Sequence, residues 1–377
     1  MKEVILRGYY GRDNLGDELM KDIFIRYLSS SNSMLYIMNS SPESLKTMYG
    51  IDTPDELITG SIPTLGKFIK RFIRILKADL YIYGGGTILT DKHSYFHLLE
   101  NNFYFLGRRI IGKKSLLISV GATNFKTKIG KFLCRRLVQN SAFAYIRDSD
   151  SYNRLKSITN NSKKLILSAD MVLLYKDFIK DKVETKNTTV GLCLMPYYYA
   201  TFHDKDKDFN LMTKIIKQLK IIHKEDSSIS FYLIPIQYGD NDKTDYEFCE
   251  KIYENLKNEL KISICKERDY TKKIEELTRC SYLISMRLHA LMLSKIVNRK
   301  IFAINHNEKI AYFMKQYDTI NNSVSLYEID KLGEKFLKTV KESSPNKMDI
   351  IESDYHLAKE NINIINKFLN NKEFENE

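Results

Sequence analysis

Residues 286–289 read Met-Arg-Leu-His, between a strand-like run, Ser281–Ser285, and an apolar segment, Ala290–Val297. Arg287 is a permanent cation and His289 a titratable imidazole. Two apart in an extended link, they can face the same way. A helix expected to start at Ala290 adds backbone N–H donors and a partial positive charge. An anion could be held there and protonated there. The plain alternative is an arginine in a surface ion pair beside a core histidine. It loses weight because polar clusters recur at the same kind of strand–helix junction along the chain.

Four more constellations follow that pattern. Gly8-x-x-Gly11-x-x-Asn14-x-Gly16-Asp17-Glu18 contains a G-x-x-x-x-G spacing, but carboxylates stand where a phosphate loop has Lys and Ser or Thr. Carboxylates repel phosphate, so an ATPase loop is excluded, and the spacing is not that of a dinucleotide fingerprint. Asp17 either meets the helix dipole or serves as a base or sugar-hydroxyl acceptor. Gly84-Gly85-Gly86-Thr87 is costly in chain entropy unless backbone must come close, and is expected to form a ligand-lined turn. Arg147-Asp148, with Ser149 and Ser151, offers either an anion-binding fork or an Arg–Asp pair capping a helix. Gln237–Asp245 is an acidic loop whose spacing is a poor metal site, with Asp245 better read as a helix cap. Glu267 and Glu275 lie eight apart without a glycine-rich turn. Tyr197, Tyr198 and Tyr199 could stack on a sugar face or simply pack.

The elements around these residues alternate. Apolar runs at Val4–Leu6, Leu80–Tyr83, Leu116–Val120, Phe143–Ile146 and Leu165–Leu167 each end in glycine or polar residues. Helical patterns follow several of them, as at Asp17–Leu28 and Ser151–Lys156. This predicts a parallel sheet with helices on both faces and ligands beyond the carboxyl ends of the strands. Lys176–Thr189 reads as a linker. The pattern then restarts with strands at Val190–Leu194, Ser228–Ile236, Ile262–Cys265, Ser281–Ser285 and Lys300–Ile304. A loop is expected at Met195–Asp206, and helices at Phe209–His223, Asp245–Leu256 and Thr271–Cys280. Met348–Phe368 has the spacing of a long amphipathic helix.

With 377 residues, two domains are expected. No apolar run is long enough to span a membrane. The opening MKEVILRGYYG reads as a buried strand rather than a signal peptide, so the expected location is the cytoplasm, with the inner face of the membrane as a further option. Five scattered cysteines argue against disulfides and zinc. The net charge of +12 reads mainly as a solvated lysine-rich surface; an anionic substrate or anionic headgroups are the functional alternatives. Basic residues are spread along the chain, and no nucleic-acid motif is present.

Taken together, GYYGRDNLGDE, YGGGTIL, SVGA, IRDSDS, SADMVL with Asp170, and SMRLHALMLS resemble the polysaccharide pyruvyl transferase family over most of the chain. The resemblance implies an α/β fold of two Rossmann-like domains facing a cleft, as in GT-B glycosyltransferases, with the C-terminal helix packing back toward the N-terminal domain. It implies residues 1–178 as the acceptor side, 188–345 as the donor side and 346–377 as helix and tail. Phosphoenolpyruvate would be the co-substrate, with no cofactor or metal, and a polysaccharide sugar, lipid-linked or free, the acceptor. By motif, Arg147, Arg287, Leu288 through its backbone, His289 and Lys309 would bind the donor. His289 would be the acid, and Asp17 or Asp148 the base. Acceptor candidates are Asn14, Gly16, Asp17, Gly85, Gly86, Tyr198 and Tyr238. Around Lys309 the sequence departs from the family's usual Tyr-Asp-Pro-Lys, showing His306-Asn307-Glu308 instead. A nucleotide-sugar glycosyltransferase of the same shape and a non-catalytic relative are the alternatives.

Overall fold

The computed structural model describes residues 1–11, 14–29, 33–60, 63–92, 94–160, 162–179, 188–238, 244–317, 319, 321–341 and 348–370. The chain divides into two compact units. The first holds residues 1–12, 16–174 and 353–377, the second 13–15 and 175–352. Most of the linker expected at 176–189 lies outside the described residues.

In the first unit the elements are β1 (Lys2–Arg7), α1 (Leu15–Ser29), β2 (Ser33–Met38), α2 (Pro42–Tyr49), α3 (Leu65–Lys77), β3 (Leu80–Leu89), α4 (Phe96–Ile110), β4 (Ser115–Ala122), α5 (Lys128–Asn140), β5 (Phe143–Ile146), α6 (Ser149–Ile158) and β6 (Leu165–Leu167). The six strands are parallel, in the order β2-β1-β3-β4-β5-β6. A parallel sheet is covered on both faces, which is why Val4–Leu6 and Leu116–Ile118 are unbroken apolar runs with no exposure. The order reverses between β1 and β3, the kind of position where such sheets bind ligands.

The triple glycine does not form a turn. β3 runs straight through Gly84, Gly85 and Gly86, with Gly85 and Gly86 at φ of 80° and 87°. The cause is proximity: a Cβ on Gly84 would stand 2.8 Å from the Ile118 carbonyl oxygen, and one on Gly86 2.8 Å from Asp17 Oδ1. These glycines let the pairing strand β4 and the start of α1 close in on β3.

The second unit contains β7 (Thr189–Cys193), α7 (Tyr197–Phe202), α8 (Lys205–Glu225), β8 (Ser230–Leu233), α9 (Asp245–Leu256), β9 (Ile262–Ile264), α10 (Tyr270–Arg279), β10 (Tyr282–Ser285), α11 (Leu288–Ile296), β11 (Lys300–Asn305), α12 (Glu308–Gln316), β12 (Ser323–Ser325) and α13 (Leu332–Lys341). Its parallel order is β12-β11-β10-β7-β8-β9, with the reversal between β7 and β10. The stretch expected as a loop at Met195–Asp206 contains a short helix, α7, because Asp208 accepts the N–H groups of Tyr198 and Tyr199 and fixes that first turn. α11 starts at Leu288, two residues before the expected Ala290.

The last helix, α14 (Met348–Leu369), forms where the amphipathic spacing implied a helix, and it groups with the first unit from Ser353 onward, as the resemblance implied. Its Asn361 is fully buried. The Asn361 amide donates to Ser168 Oγ at 2.8 Å, and its carbonyl accepts the Ser119 N–H at 3.1 Å. Ser119 needs that partner: it sits at φ 51° where the pairing of β4 with β5 slips, so the β-ladder cannot take its N–H. Asn361→Leu should orphan these groups and lower unfolding free energy by about 1–3 kcal/mol in urea titration; an unchanged midpoint would show the bonds to be incidental.

Candidate functional site

The second unit gathers polar side chains at the carboxyl ends of β7, β8, β10 and β11, around its sheet reversal. Ser285, fully buried at the end of β10, clamps the next turn: its hydroxyl donates to the Arg287 carbonyl at 3.0 Å and accepts the Arg287 N–H at 2.8 Å. Arg287 is the extended residue before α11, and its side chain does not cap that helix. The guanidinium instead turns to Asp245. Nε donates to Oδ2 at 2.9 Å and Nη2 to Oδ1, while Nη2 also reaches Gln237 Oε1 at 3.1 Å. Nη1 takes no part in the fork.

Asp245 is therefore not a simple cap. Thr244 caps α9, and the Asp245 carboxylate, 1% exposed, accepts the N–H groups of Ile236 and Gln237 as well as the arginine. A carboxylate that deeply buried needs all these partners. Leu288 and His289 form the first turn of α11 rather than an extended link, because Ser285 closes the turn at Arg287. His289 is half-buried there.

Sequence reasoning singled out no role for His306, one strand over. Its Nε2 lies 2.9 Å from the Met286 carbonyl oxygen, and its ring packs on Tyr197 at 4.8 Å. Asn307 caps α12 by accepting the Ile310 N–H with Oδ1, which leaves its Nδ2 to point at His306 Nδ1, 3.2 Å away. The Met286 carbonyl at Nε2 favours the neutral, Nε2-protonated tautomer, although Asn307 Nδ2 also lies 3.4 Å from Nε2. Burial, with the charge of Arg287 adding to it, pushes the His306 pKa below its ordinary value. Lys309 sits on the exposed first turn of α12.

The other second-unit candidates separate from this group. Tyr238 is buried, its hydroxyl donating to the Cys265 carbonyl at 3.1 Å and Lys273 Nζ lying 4.0 Å from its ring centroid, so it is a packed ring rather than a loop contact. Tyr198 contributes its backbone to Asp208. Asn14 groups with this unit and forms an isolated bridge with Gln237. The acids Asp240 and Asp242 lie outside the described residues. A cavity of about 370 Å³ opens between α7, α8 and α9, lined in part by Tyr199, Asp208, Phe209, Thr244 and Lys251. It is large enough for a small ligand.

In the first unit, Arg147 follows β5 and is buried. It donates to Asp170 Oδ2 at 2.9 Å and to Thr87 Oγ1 at 2.7 Å, with Nε 3.6 Å from Asp148 Oδ2. Gly121 makes room for it: a Cβ there would lie 2.8 Å from Arg147 Nε. The pair seen in the sequence as Arg147–Asp148 is thus chiefly Arg147–Asp170. Asp148 instead caps α6, accepting the Ser151 N–H at 2.7 Å and its hydroxyl at 2.9 Å. Asp17 lies against Gly86 at the β1/β3 reversal, near Tyr10, whose hydroxyl donates to the Gly84 carbonyl at 2.7 Å. Gly85 faces the Tyr10 hydroxyl and Met20, and Gly16 is buried in the first turn of α1. All five cysteines are buried, and burial raises the pKa of Cys134, Cys193, Cys249 and Cys280, away from nucleophilic use. Among the described residues no His, Cys, Asp and Glu group has the arrangement of a metal site.

The family model of polysaccharide pyruvyl transferase matches residues 14–308. The chain belongs to this family. The match includes Arg147, Arg287, Leu288 and His289 and stops one residue short of Lys309. No sequence match was found among curated proteins. In fold, the transferase is similar to UDP-GlcNAc 2-epimerase from Methanocaldococcus jannaschii, at a TM-score of 0.64 and 12% identity over 97% of this chain and 99% of that one. It is also similar to the Neisseria meningitidis UDP-GlcNAc 2-epimerase solved with UDP-GlcNAc, at 0.62 and 14% over 98% and 100%. HepE from Anabaena, solved with UDP and glucose, follows at 0.59 and 9% over 99% of each chain. The transferase thus has a GT-B-like, two-domain α/β fold.

The half-buried His306 is expected to make the second unit acid-sensitive. Its folded pKa lies below the unfolded value near 6.5, so the unfolded chain binds protons first and stability falls as pH drops through and below about 6.5. His306→Gln should flatten the melting temperature between pH 7.5 and 5.5 (roughly the titration range of a histidine); an unchanged slope would assign the acid sensitivity elsewhere.

Proposed function

We propose that this transferase moves the pyruvyl group of phosphoenolpyruvate onto two hydroxyls of a sugar in a surface or capsular polysaccharide precursor, forming a cyclic ketal and releasing phosphate. The observation that carries the reading is the junction of β10 and α11. A guanidinium held in a fixed orientation by Asp245 stands there, two residues before His289, at a helix start that the Arg287 side chain does not cap. Phosphoenolpyruvate brings a phosphate and a carboxylate. Arg287, the Leu288 N–H and Lys309 would hold them, with the helix dipole adding to the attraction.

In the reaction C2 of the enol gains two C–O bonds to the sugar, C3 gains a proton, and the C2–O bond to phosphorus breaks. One hydroxyl proton is balanced by the proton delivered to C3, the other by the phosphate that leaves. His289 would deliver the C3 proton as general acid. The base would be a carboxylate, for which Asp17 and Asp148 are the candidates. Arg147 enters by its family match; both arginines are paired with a carboxylate, but the Arg287 side chain is 22% exposed against 6% for Arg147, which makes Arg287 the more reachable donor ligand of the two. On this reading the second unit is the donor side and the first the acceptor side, the acceptor is lipid-linked or free, and the enzyme works in the cytoplasm without a cofactor.

The test is phosphate release from phosphoenolpyruvate with a panel of hexose-containing acceptors. His289→Ala should lose at least ~10²-fold in turnover, the lower end for a general acid, while keeping its fold. Arg287→Lys should fail to restore donor affinity, because an ammonium cannot form the planar fork. Full turnover in His289→Ala would refute its role as the acid.

A further inference from the structure

Three helices of the first unit carry nearly all of the chain's excess positive charge. α3, α4 and α5 together hold eleven Lys and Arg against a single acid, Glu100, whereas the whole chain is only +12; Arg71 and Arg108 are buried and Arg74 pairs with Glu3 and Glu56, which leaves eight for the outer surface. Glu100 does not interrupt the surface, since it is paired inward with Arg7 at 2.5 Å and Arg71 at 2.8 Å. The sequence hid this concentration, because these residues run from position 67 to 136 with two strands in between.

The same helices display apolar side chains outward. On α3, Leu65, Ile69 and Ile73 recur every fourth residue and are 76%, 47% and 46% exposed. On α4, Phe96, Phe103 and Ile110 recur every seventh and are 70%, 52% and 75% exposed. Ile129 and Phe132 extend the face onto α5. Adding Leu106 and the neighbouring Ile111, these make ten of the twenty exposed large hydrophobics among the described residues, on helices that form about a tenth of the chain. Scattered single exposures are ordinary; this clustering is not.

The three helices form one raft. Gly107 of α4 lets Phe72 of α3 approach to 2.9 Å of where a Cβ would be, and the rings of Phe68 and Phe103 meet edge to face at 6.5 Å. Asn102 Nδ2 donates to the Leu133 carbonyl at 2.9 Å, tying α4 to α5. Arg108, fully buried, fastens α4 to the end of α3 through the carbonyls of Ile75 and Ala78 and to the residues leading into β3 and β4 through those of Asp79 and Lys114.

We infer that the outer face of α3, α4 and α5 is a docking surface for a bilayer containing anionic phospholipid. Aliphatic and phenyl side chains interleaved with Lys and Arg, on helices whose single acid is turned inward, match the two attractions such a bilayer offers: apolar burial at the acyl boundary and charge at the headgroups. A nucleic-acid surface would use the charges but leave the isoleucines in water. The inference does not depend on the reaction proposed above.

Vesicle sedimentation of the full chain tests it, with phosphatidylcholine alone and with added phosphatidylglycerol. Binding is expected to the anionic vesicles, weakened by salt. Lys70→Gln with Lys77→Gln should weaken partitioning about fivefold per lysine, the equivalent of about 1 kcal/mol for each basic residue at the surface. Ile69→Ser with Ile73→Ser should abolish it at unchanged melting temperature, since both residues are exposed. Failure to bind anionic vesicles, equal binding to neutral ones, or wild-type binding by both variants would overturn the inference. Binding of RNA or DNA in place of vesicles would also overturn it.

Discussion

Asp245 and Arg287 hold one another 42 residues apart in sequence, and the geometry of the second unit's site follows from that bond. A carboxylate at 1% exposure is untenable alone. Here it takes two backbone N–H groups from the loop after β8 and both arms of a guanidinium fork, at the dipole-favoured first turn of α9. The arginine is thereby fixed from the connection between β8 and α9, across the intervening β7, while Ser285 holds its backbone. A cation so constrained loses little conformational entropy when an anion arrives. That is the quality a phosphate and carboxylate site needs.

The first unit repeats the arrangement with different parts. Arg147 leaves the carboxyl end of β5 and is held by Asp170 beyond β6 and Thr87 on β3. It fits only because Gly121 has no side chain. Asn361 of the returning helix satisfies the irregular Ser119 in the strand beside it. In both units the polar groups lie where parallel strands end, and in the second unit they flank the reversal of strand order. Interior strand positions are covered by helices and must be apolar, so these ends are where charged side chains can be both anchored and reachable.

Much of this was legible in the sequence. Strands buried on both faces are unbroken apolar runs, so β5, β6 and β7 could be placed within a residue, and the amphipathic spacing of α14 gave the terminal helix, its return to the first unit coming only with the resemblance. The two-domain fold and the family followed from motifs at strand ends. What escaped was set by distance through space. Nothing local tells that Asp245 answers Arg287, that Asp170 rather than Asp148 holds Arg147, or that three separated basic helices share one face. The triple glycine was misread because its cause, Asp17 and Ile118 pressing on β3, lies on other elements. His306 drew no assignment because its environment is Met286, Tyr197 and Asn307, of which only Asn307 is nearby in sequence.

The most direct measurement is a thermal-shift titration of the whole chain with phosphoenolpyruvate, in parallel with UDP- and GDP-sugars, on the native protein and on Arg287→Ala. The account predicts stabilisation by phosphoenolpyruvate, about 2.7 kcal/mol at a hundred times its dissociation constant. It also predicts that the effect disappears in Arg287→Ala. Stabilisation by a nucleotide sugar and not by phosphoenolpyruvate, or a phosphoenolpyruvate response that survives loss of Arg287, would contradict it.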